Sequence, residues 1–401
     1  MTFRVRHSYG QTDRCPHPQP EQVLTVRGHH TRSLIAALTS LLMSLLVLEG
    51  IARIALRGDD KNLPHAFLGA DDQEYAGWRE RGHSNGVDLG GFAISDPLLG
   101  WRPRPAARVT ISKPDSYTFT AAIEKHGLRA VETVSQQKAP GVTRIGVFGC
   151  SQTFGQGVQD HETYSARLGH SLPATEVLNF GVPGYGTDQM LLYYETFGRK
   201  FDLDVVLIAF AWFHLPRNIA GFHFFAKPRF VLDDSGHLSL LGVPVPTAQD
   251  LLDQEWHTPW PVTLADDSVL LRWTWRRLEN AREREIYNPG GSAWQLTRAL
   301  LRRFVTVARD ARSRVVIVNL PEDGHPELDK HLEALASTLN VELVNLRDTF
   351  DRLATQGIDY RLPNDEHFNQ IGHATVAEAL TRYLSIHDEG TSRESHQGRA
   401  D

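Results

Sequence analysis

From about residue 142 the chain alternates short, wholly apolar runs with longer stretches of helical periodicity, and few folds accommodate that pattern. Ile145–Phe148, Val177–Phe180, Val205–Phe210, Val315–Leu320 and Val341–Val344 read as strands buried on both faces. The stretches between and after them predict helices over Glu162–Leu172, Thr187–Arg199, Ala293–Asp310, Pro326–Leu339 and Asn369–Leu384. In the second, Met190, Leu191, Tyr194 and Phe197 share a face; in the last, Val376, Ala379, Leu380 and Tyr383 do. Parallel strands need crossovers, and right-handed crossovers put helices on both faces. The expected fold is therefore a three-layer α/β/α sandwich with a mostly parallel five-stranded sheet. Reactive groups in such sheets gather beyond the carboxyl ends of the strands.

Near the N-terminus, Ser33 to Leu48 holds sixteen residues without a charge. Helical extension through Ala52 reaches the roughly 20 residues that a bilayer span needs, with Arg32 and Arg53 at its ends. The apolar side chains lie all round the helix, as lipid contact requires. No small-residue cleavage site follows the run, and the lead before it is long for a signal peptide. Residues 33–52 thus predict a single transmembrane helix. Residues 1–32 carry Arg4, Arg6, Arg14, Arg27 and Arg32 against Asp13 and Glu21, a net of +3, which leaves −9 of the total −6 to the remainder. Arg53, Arg57 and Lys61 follow the span, so the basic bias puts residues 1–32 in the cytoplasm and the main body outside it. This corresponds to the periplasmic side of an inner membrane in a bacterium.

The overall charge gives no basic footprint for nucleic acid. Two cysteines in 401 residues, Cys15 and Cys150, cannot form a disulfide scaffold or a four-thiolate metal site. Residues 53–141 read as an irregular lead-in with short strands at Arg108–Ile111 and Ser116–Thr120. An insertion at 216–292 interrupts the alternation. It holds a hairpin over 227–246, turning at Asp233–Gly236, and a charged, helix-prone stretch from Arg272 to Glu285. Residues 387–401 are polar and expected to be disordered.

Three loops carry the chemistry. The first, Gly149-Cys150-Ser151-Gln152-Thr153-Phe154-Gly155-Gln156-Gly157-Val158, places Ser151 at the end of the first strand, and it lacks the lysine spacing of a phosphate loop. The second, Asn179 to Thr187, is rich in glycine. The third, Asn364-Asp365-Glu366-His367-Phe368-Asn369-Gln370-Ile371-Gly372-His373, sets Asp365 and His367 two apart before the last helix. His367 and His373 have no third ligand nearby, so no metal and no cofactor are expected.

In this order the blocks resemble the SGNH, or GDSL, hydrolase family from about 142 to 384, which implies a flavodoxin-like hydrolase domain over residues 142–386. DPLLGWRPRP (96–105) and HGLR (126–129), with the apolar helix, look like its membrane-anchored bacterial members. The resemblance implies a serine esterase with Ser151 as nucleophile, His367 as general base and Asp365 as its partner. It implies an oxyanion hole from the backbone N–H groups of Ser151 and Gly184 and from a side chain after the third strand. His214 stands where the family has an asparagine, and Asn218 lies a turn further on. A neutral histidine has one N–H to donate. Cys150 replaces the usual aspartate and reads as a packing residue. The usual D-x-x-H spacing would set Asn364 opposite His367, but only Asp365 carries a charge. The substrate class is an ester-linked acyl group, with carbohydrate O-acetyl groups implied by the resemblance and the compartment. An O-acyltransferase with the same triad, and a non-catalytic protein using the cleft to bind a glycan or partner, are the alternatives. The partners expected are an acylated small molecule or glycan and a membrane; the oligomeric state is open.

Overall fold

The computed structural model describes residues 24–58, 70–80, 91–254, 267–320 and 325–397. Most of the predicted cytoplasmic segment, Cys15 included, lies outside them. The chain opens with helices α1 (Leu24–Ala55) and α2 (Ala70–Glu80). Two antiparallel hairpins follow: β1 (Ala93–Asp96) with β2 (Gly100–Pro103), and β3 (Arg108–Lys113) with β4 (Tyr117–Ala122). The alternating part runs β5 (Thr143–Gly149), α3 (Ser151–Phe154), α4 (Tyr164–Ser171), β6 (Thr175–Gly181), α5 (Thr187–Thr196), β7 (Val205–Phe210) and α6 (His214–Ile219). Then come the short β8 (Phe222–His223) and β9 (Phe225–Ala226), a hairpin of β10 (Arg229–Leu232) and β11 (Leu238–Leu241), α7 (Ala248–Asp253) and α8 (Val269–Ile286). The chain closes with α9 (Ser292–Asp310), β12 (Arg314–Asn319), α10 (Pro326–Thr338), β13 (Glu342–Asn345), α11 (Arg347–Thr355) and α12 (Gln370–Gln397).

Five strands form one parallel sheet in the order β13-β12-β7-β5-β6. The two-residue period of a strand sends neighbours to opposite layers. In β7, Val206, Ile208 and Phe210 enter one core, and Val205, Leu207 and Ala209 enter the other. The first core lies under α5 and α9, whose buried Leu300, Leu301, Phe304 and Ala308 form a helical stripe. The second lies under α4, α11 and α12, with Leu168, Phe350, Val376 and Leu380. Burying each such side chain is worth about 1.5–3 kcal/mol, so the two layers hold the sheet from both sides.

The expected sandwich is thus the observed architecture, with element ends moved by a few residues. Thr163 accepts a hydrogen bond from the Ala166 N–H and starts α4 there, so the helix predicted from Glu162 begins as a separate 3₁₀ turn at Asp160–Glu162. The helix predicted to reach Arg199 stops at Thr196, and a 3₁₀ turn at Gly198–Phe201 continues it. The α12 backbone stays helical to Gln397, into the stretch expected to be disordered. The lead-in packs into the first core: Phe92, Leu99, Trp101, Phe119, Ile123 and Leu128 are buried with Phe148 and Phe180. In α1, Thr31–Ala55 is, among the described residues, the one helical stretch long and apolar enough to cross a membrane; a signal sequence shares that length and composition. Its leucines are about half exposed.

Successive strands run from β5 outward to β6, then back across β5 to β7 and on to β12 and β13. The reversal lies between β5 and β7. Ligands of open α/β sheets bind in the crevice at such a switch point.

Candidate active site

Ser151 stands one residue beyond β5, after Cys150, and is the first residue of α3, so its N–H has no partner within the helix. Its hydroxyl is 2.8 Å from Nε2 of His367. On the other side of the ring, Nδ1 of His367 lies 2.5 Å from Oδ1 of Asp365, which also accepts the His367 backbone N–H at 2.9 Å. With Nδ1–H donated to the carboxylate, Nε2 is free to accept the serine proton. Asn364 adopts φ +52° and turns its amide to the Asp115 carbonyl, away from the ring. The tight turn formed there lets Asp365 reach a histidine only two residues on.

Two contacts support this chain of bonds, and neither is announced by a motif. Lys113, on β3, donates to Oδ2 of Asp365 at 2.8 Å and to the Asn364 carbonyl at 2.7 Å. Burial alone would raise the Asp365 pKa, but hydrogen bonds from His367 and Lys113 hold the carboxyl far below the usual carboxylate range. Gln152, beside the serine, accepts the Phe368 N–H at 3.0 Å and donates to the Glu366 carbonyl at 3.1 Å. The serine and histidine loops are therefore tied on both sides of His367.

Gly184 lines the same cavity as Ser151 and His367. The Tyr185 N–H bonds to the Val182 carbonyl at 3.2 Å across Pro183 and Gly184, and Gly184 has φ +85°. Proline second and a positive φ third describe a type II turn. A Cβ on Gly184 would lie 2.7 Å from the Phe224 ring and 3.0 Å from Trp101, so only glycine fits. The 96–105 stretch clamps this turn: the Trp101 indole donates to the Pro183 carbonyl at 3.0 Å, and the Tyr185 hydroxyl donates to the Trp101 carbonyl. The HGLR arginine, Arg129, is buried and donates to the carbonyls of Phe154, Gly155 and Val158 and to Asp160. It thus holds the loop that follows the serine.

The serine, His367 and Gly184 line a cavity of about 250 Å³ with Phe92, Ile111, Phe119, Phe154, Gln156, Pro183, Arg217 and Phe224. His214 is not among them. It is fully buried, its ring packed edge-on against Phe210 and Phe213, and its Nδ1 accepts the Ala211 N–H at 3.3 Å. Burial pushes its pKa well below 6.5, so the ring is neutral. Its Nε2 is buried without a hydrogen-bond partner among the described residues, and the ring is not part of the cavity lining. His214, the first residue of α6, is packed in the core, and Arg217, three positions on, reaches the cavity. Its guanidinium lies over the Phe213 ring and donates to the Tyr185 carbonyl. Asn218 also faces away, bonding the Asp188 N–H and the Thr297 hydroxyl. Cys150 is fully buried in the first core. His373 is buried too, accepts the Tyr164 N–H, and is held neutral by burial, with its pKa near 3. Among the described residues no three metal-ligating side chains cluster.

A serine, histidine and aspartate hydrogen-bonded in series at the switch point of a parallel sheet are the arrangement of a nucleophilic catalyst. No protein-family model matches the chain, and no curated protein matches it. Solved structures do align with it. A member of the lipolytic protein G-D-S-L family from Veillonella parvula is 13% identical over 61% of this chain and 99% of its own, with a TM-score of 0.36. A psychrotrophic esterase from Pseudoalteromonas sp. is 13% identical over 62% and 99%, with a TM-score of 0.35. A two-domain esterase active on acetylated mannans is 17% identical over 61% of this chain and 49% of its own, also at 0.35. The fold described above rests on strand order and register, not on these likenesses.

Proposed function

We propose that the chain is a serine esterase of the SGNH type that cleaves ester-linked acyl groups through an acyl-enzyme. The observation that carries this reading is the unbroken series Asp365–His367–Ser151 opening onto the cavity beside Gly184. Ser151 Oγ attacks the ester carbonyl while His367 Nε2 takes its proton. A hydroxyl is too weakly acidic to attack unaided. The resulting oxyanion lies toward the N–H groups of Ser151 and Gly184, and the Arg217 guanidinium supplies the side-chain contribution to this pocket. His367 returns the proton to the departing alkoxide, and the alcohol leaves. Water, deprotonated by the same imidazole, then attacks the acyl carbonyl and frees Ser151 and the carboxylic acid. Asp365 stays ionised throughout and stabilises the imidazolium.

The cavity is smaller than the pockets that hold drug-sized ligands, which suits a short acyl group. We assign carbohydrate O-acetyl esters as the substrate class, with α1 anchoring the enzyme in a membrane, residues 1–32 in the cytoplasm and the catalytic body outside it. A fluorophosphonate probe tests the reading. Labelling of the folded wild type should disappear in Ser151→Ala and fall strongly in His367→Ala. Absence of labelling in folded wild-type protein would sink it. Release of free acetate from an acetylated oligosaccharide marks hydrolysis; transfer of the acetyl group to an added glycan instead marks the acyltransferase.

A further inference from the structure

The insertion helix α8 is fastened to the apolar helix α1 through Glu49. The Glu49 carboxylate accepts the Ser268 hydroxyl at 2.7 Å and the Val269 and Leu270 N–H groups at 3.0 Å each. Arg53 pairs with Glu49 and donates to the Asp267 carbonyl. A side chain of α1 thus caps the N-terminus of α8, where free N–H groups and the helix dipole favour an anion. At 1.5 Å per residue, Ser33–Leu48 covers about 24 Å of a hydrocarbon layer roughly 30 Å thick. The remaining roughly 6 Å takes about four more residues, to Ala52, so Arg53 stands at the headgroup boundary with Glu49 one turn inside it, and α8 begins there.

The composition of α8 matches that position. Leu271 and Leu278, two turns apart on one face, are 42% and 54% exposed. Arg277 lies 4.9 Å from the Trp273 ring centroid, and Arg282 lies 5.4 Å from that of Trp275. Tryptophan and arginine are residues of the membrane interface: the ring sits at headgroup level and the guanidinium meets phosphate. The helix carries five arginines against three glutamates, in a chain whose net charge is −6. Exposed leucines on a soluble surface helix need no explanation singly. Here they share a helix with two tryptophans that arginines cover, and that helix is fastened to the end of the apolar span.

We propose that α8 lies in the membrane interface beside α1, with Leu271 and Leu278 in the acyl boundary and its arginines on anionic phospholipid headgroups. This rests on α1 crossing a bilayer, and not on the esterase activity. Docked in this way, α8 fixes the orientation of the catalytic body relative to the membrane, because α6, which lines the cavity through Arg217, packs against α8.

The test uses the full chain with Cys15→Ser, Cys150 being buried, reconstituted in vesicles of phosphatidylethanolamine and phosphatidylglycerol. Nitroxides are placed through Leu41→Cys, Leu271→Cys, Leu278→Cys and Asn280→Cys in separate samples, each checked for an unchanged melting transition. Labels at 271 and 278 should meet oxygen severalfold more readily, relative to a water-soluble nickel complex, than the label at 280. Label 41 should lie deeper still. A lipid-buried 41 with 271 and 278 matching 280 overturns the placement of α8 and leaves the anchor standing. A water-exposed 41 overturns both. In Arg276→Gln/Arg277→Gln the label at 278 should move toward water in these vesicles; unchanged depth overturns the headgroup contact.

Discussion

The two walls of the cavity differ in how they are built. One wall is formed by three loops at the carboxyl end of the sheet, carrying Ser151, Gly184 and the Asp365–His367 pair. Each is short, follows a strand or precedes a helix, and is fixed by backbone hydrogen bonds. The other is assembled from Ile111 and Phe119 of the lead-in and Phe224 of the insertion, with Arg217 standing between the two. In the proposed reaction the first wall makes and breaks bonds and the second decides what is admitted. The contrast shows how the reactive groups can be rigid while the surroundings are free to vary.

If that division holds, substitutions on the first wall should abolish turnover and those on the second should change its selectivity. The largest effect is expected from Asp365→Asn. An amide there favours the wrong imidazole tautomer, and kcat should fall by about 10⁴-fold with the fold intact. A loss below tenfold would show that Asp365 does not set the ring. Next, Arg217→Leu should lower kcat/KM by about 100-fold, the scale of a lost oxyanion donor. His214→Leu should leave kcat/KM within about tenfold while costing about 1 kcal/mol, because the Ala211 N–H loses its acceptor. The reverse ranking would return His214 to the site. Phe224→Gly removes a ring from the cavity and a non-glycine residue from φ +59°. A series of acyl chain lengths should then show preference shifting toward longer groups by about tenfold, the value of a methylene or so. An unchanged preference would remove Phe224 from the acyl wall.

The smallest effect concerns Lys113→Gln, which bridges the two walls. The folded pKa of Asp365 lies below its unfolded value, so its contribution to stability is present above about pH 4 and disappears as pH falls toward the folded value. Without Lys113 that depression shrinks. Denaturant midpoints of parent and variant should therefore differ at neutral pH and converge below about pH 4. A gap that stays constant into acid would show that the ion pair does not couple to Asp365.

The same division governs what was legible in the sequence. A strand buried on both faces has no polar positions to interrupt it, and Val205–Phe210 matches its predicted bounds. The serine, glycine and Asp–His blocks were legible because each sits within a few residues of an element end. Lys113 reaches Asp365 across 252 residues, and nothing in a hairpin of mixed residues marks that lysine. Gln152 and Arg129 likewise act through backbone atoms of distant loops. His214 shows a rotational limit: distance from a strand end fixes where a residue stands, and the helix register fixes which way it turns.

Arg129 also bears on how such a chain can be divided. Its guanidinium fills a space between the carbonyls of Phe154, Gly155 and Val158, and the segment bearing it lies before the first strand of the sheet. A fragment beginning at Thr143 would leave those carbonyls facing a void. The portion that could be recombined onto a different N-terminal segment, by a breeder of enzymes or by a genome, therefore starts ahead of Arg129, and that part of the lead-in is inherited with the serine.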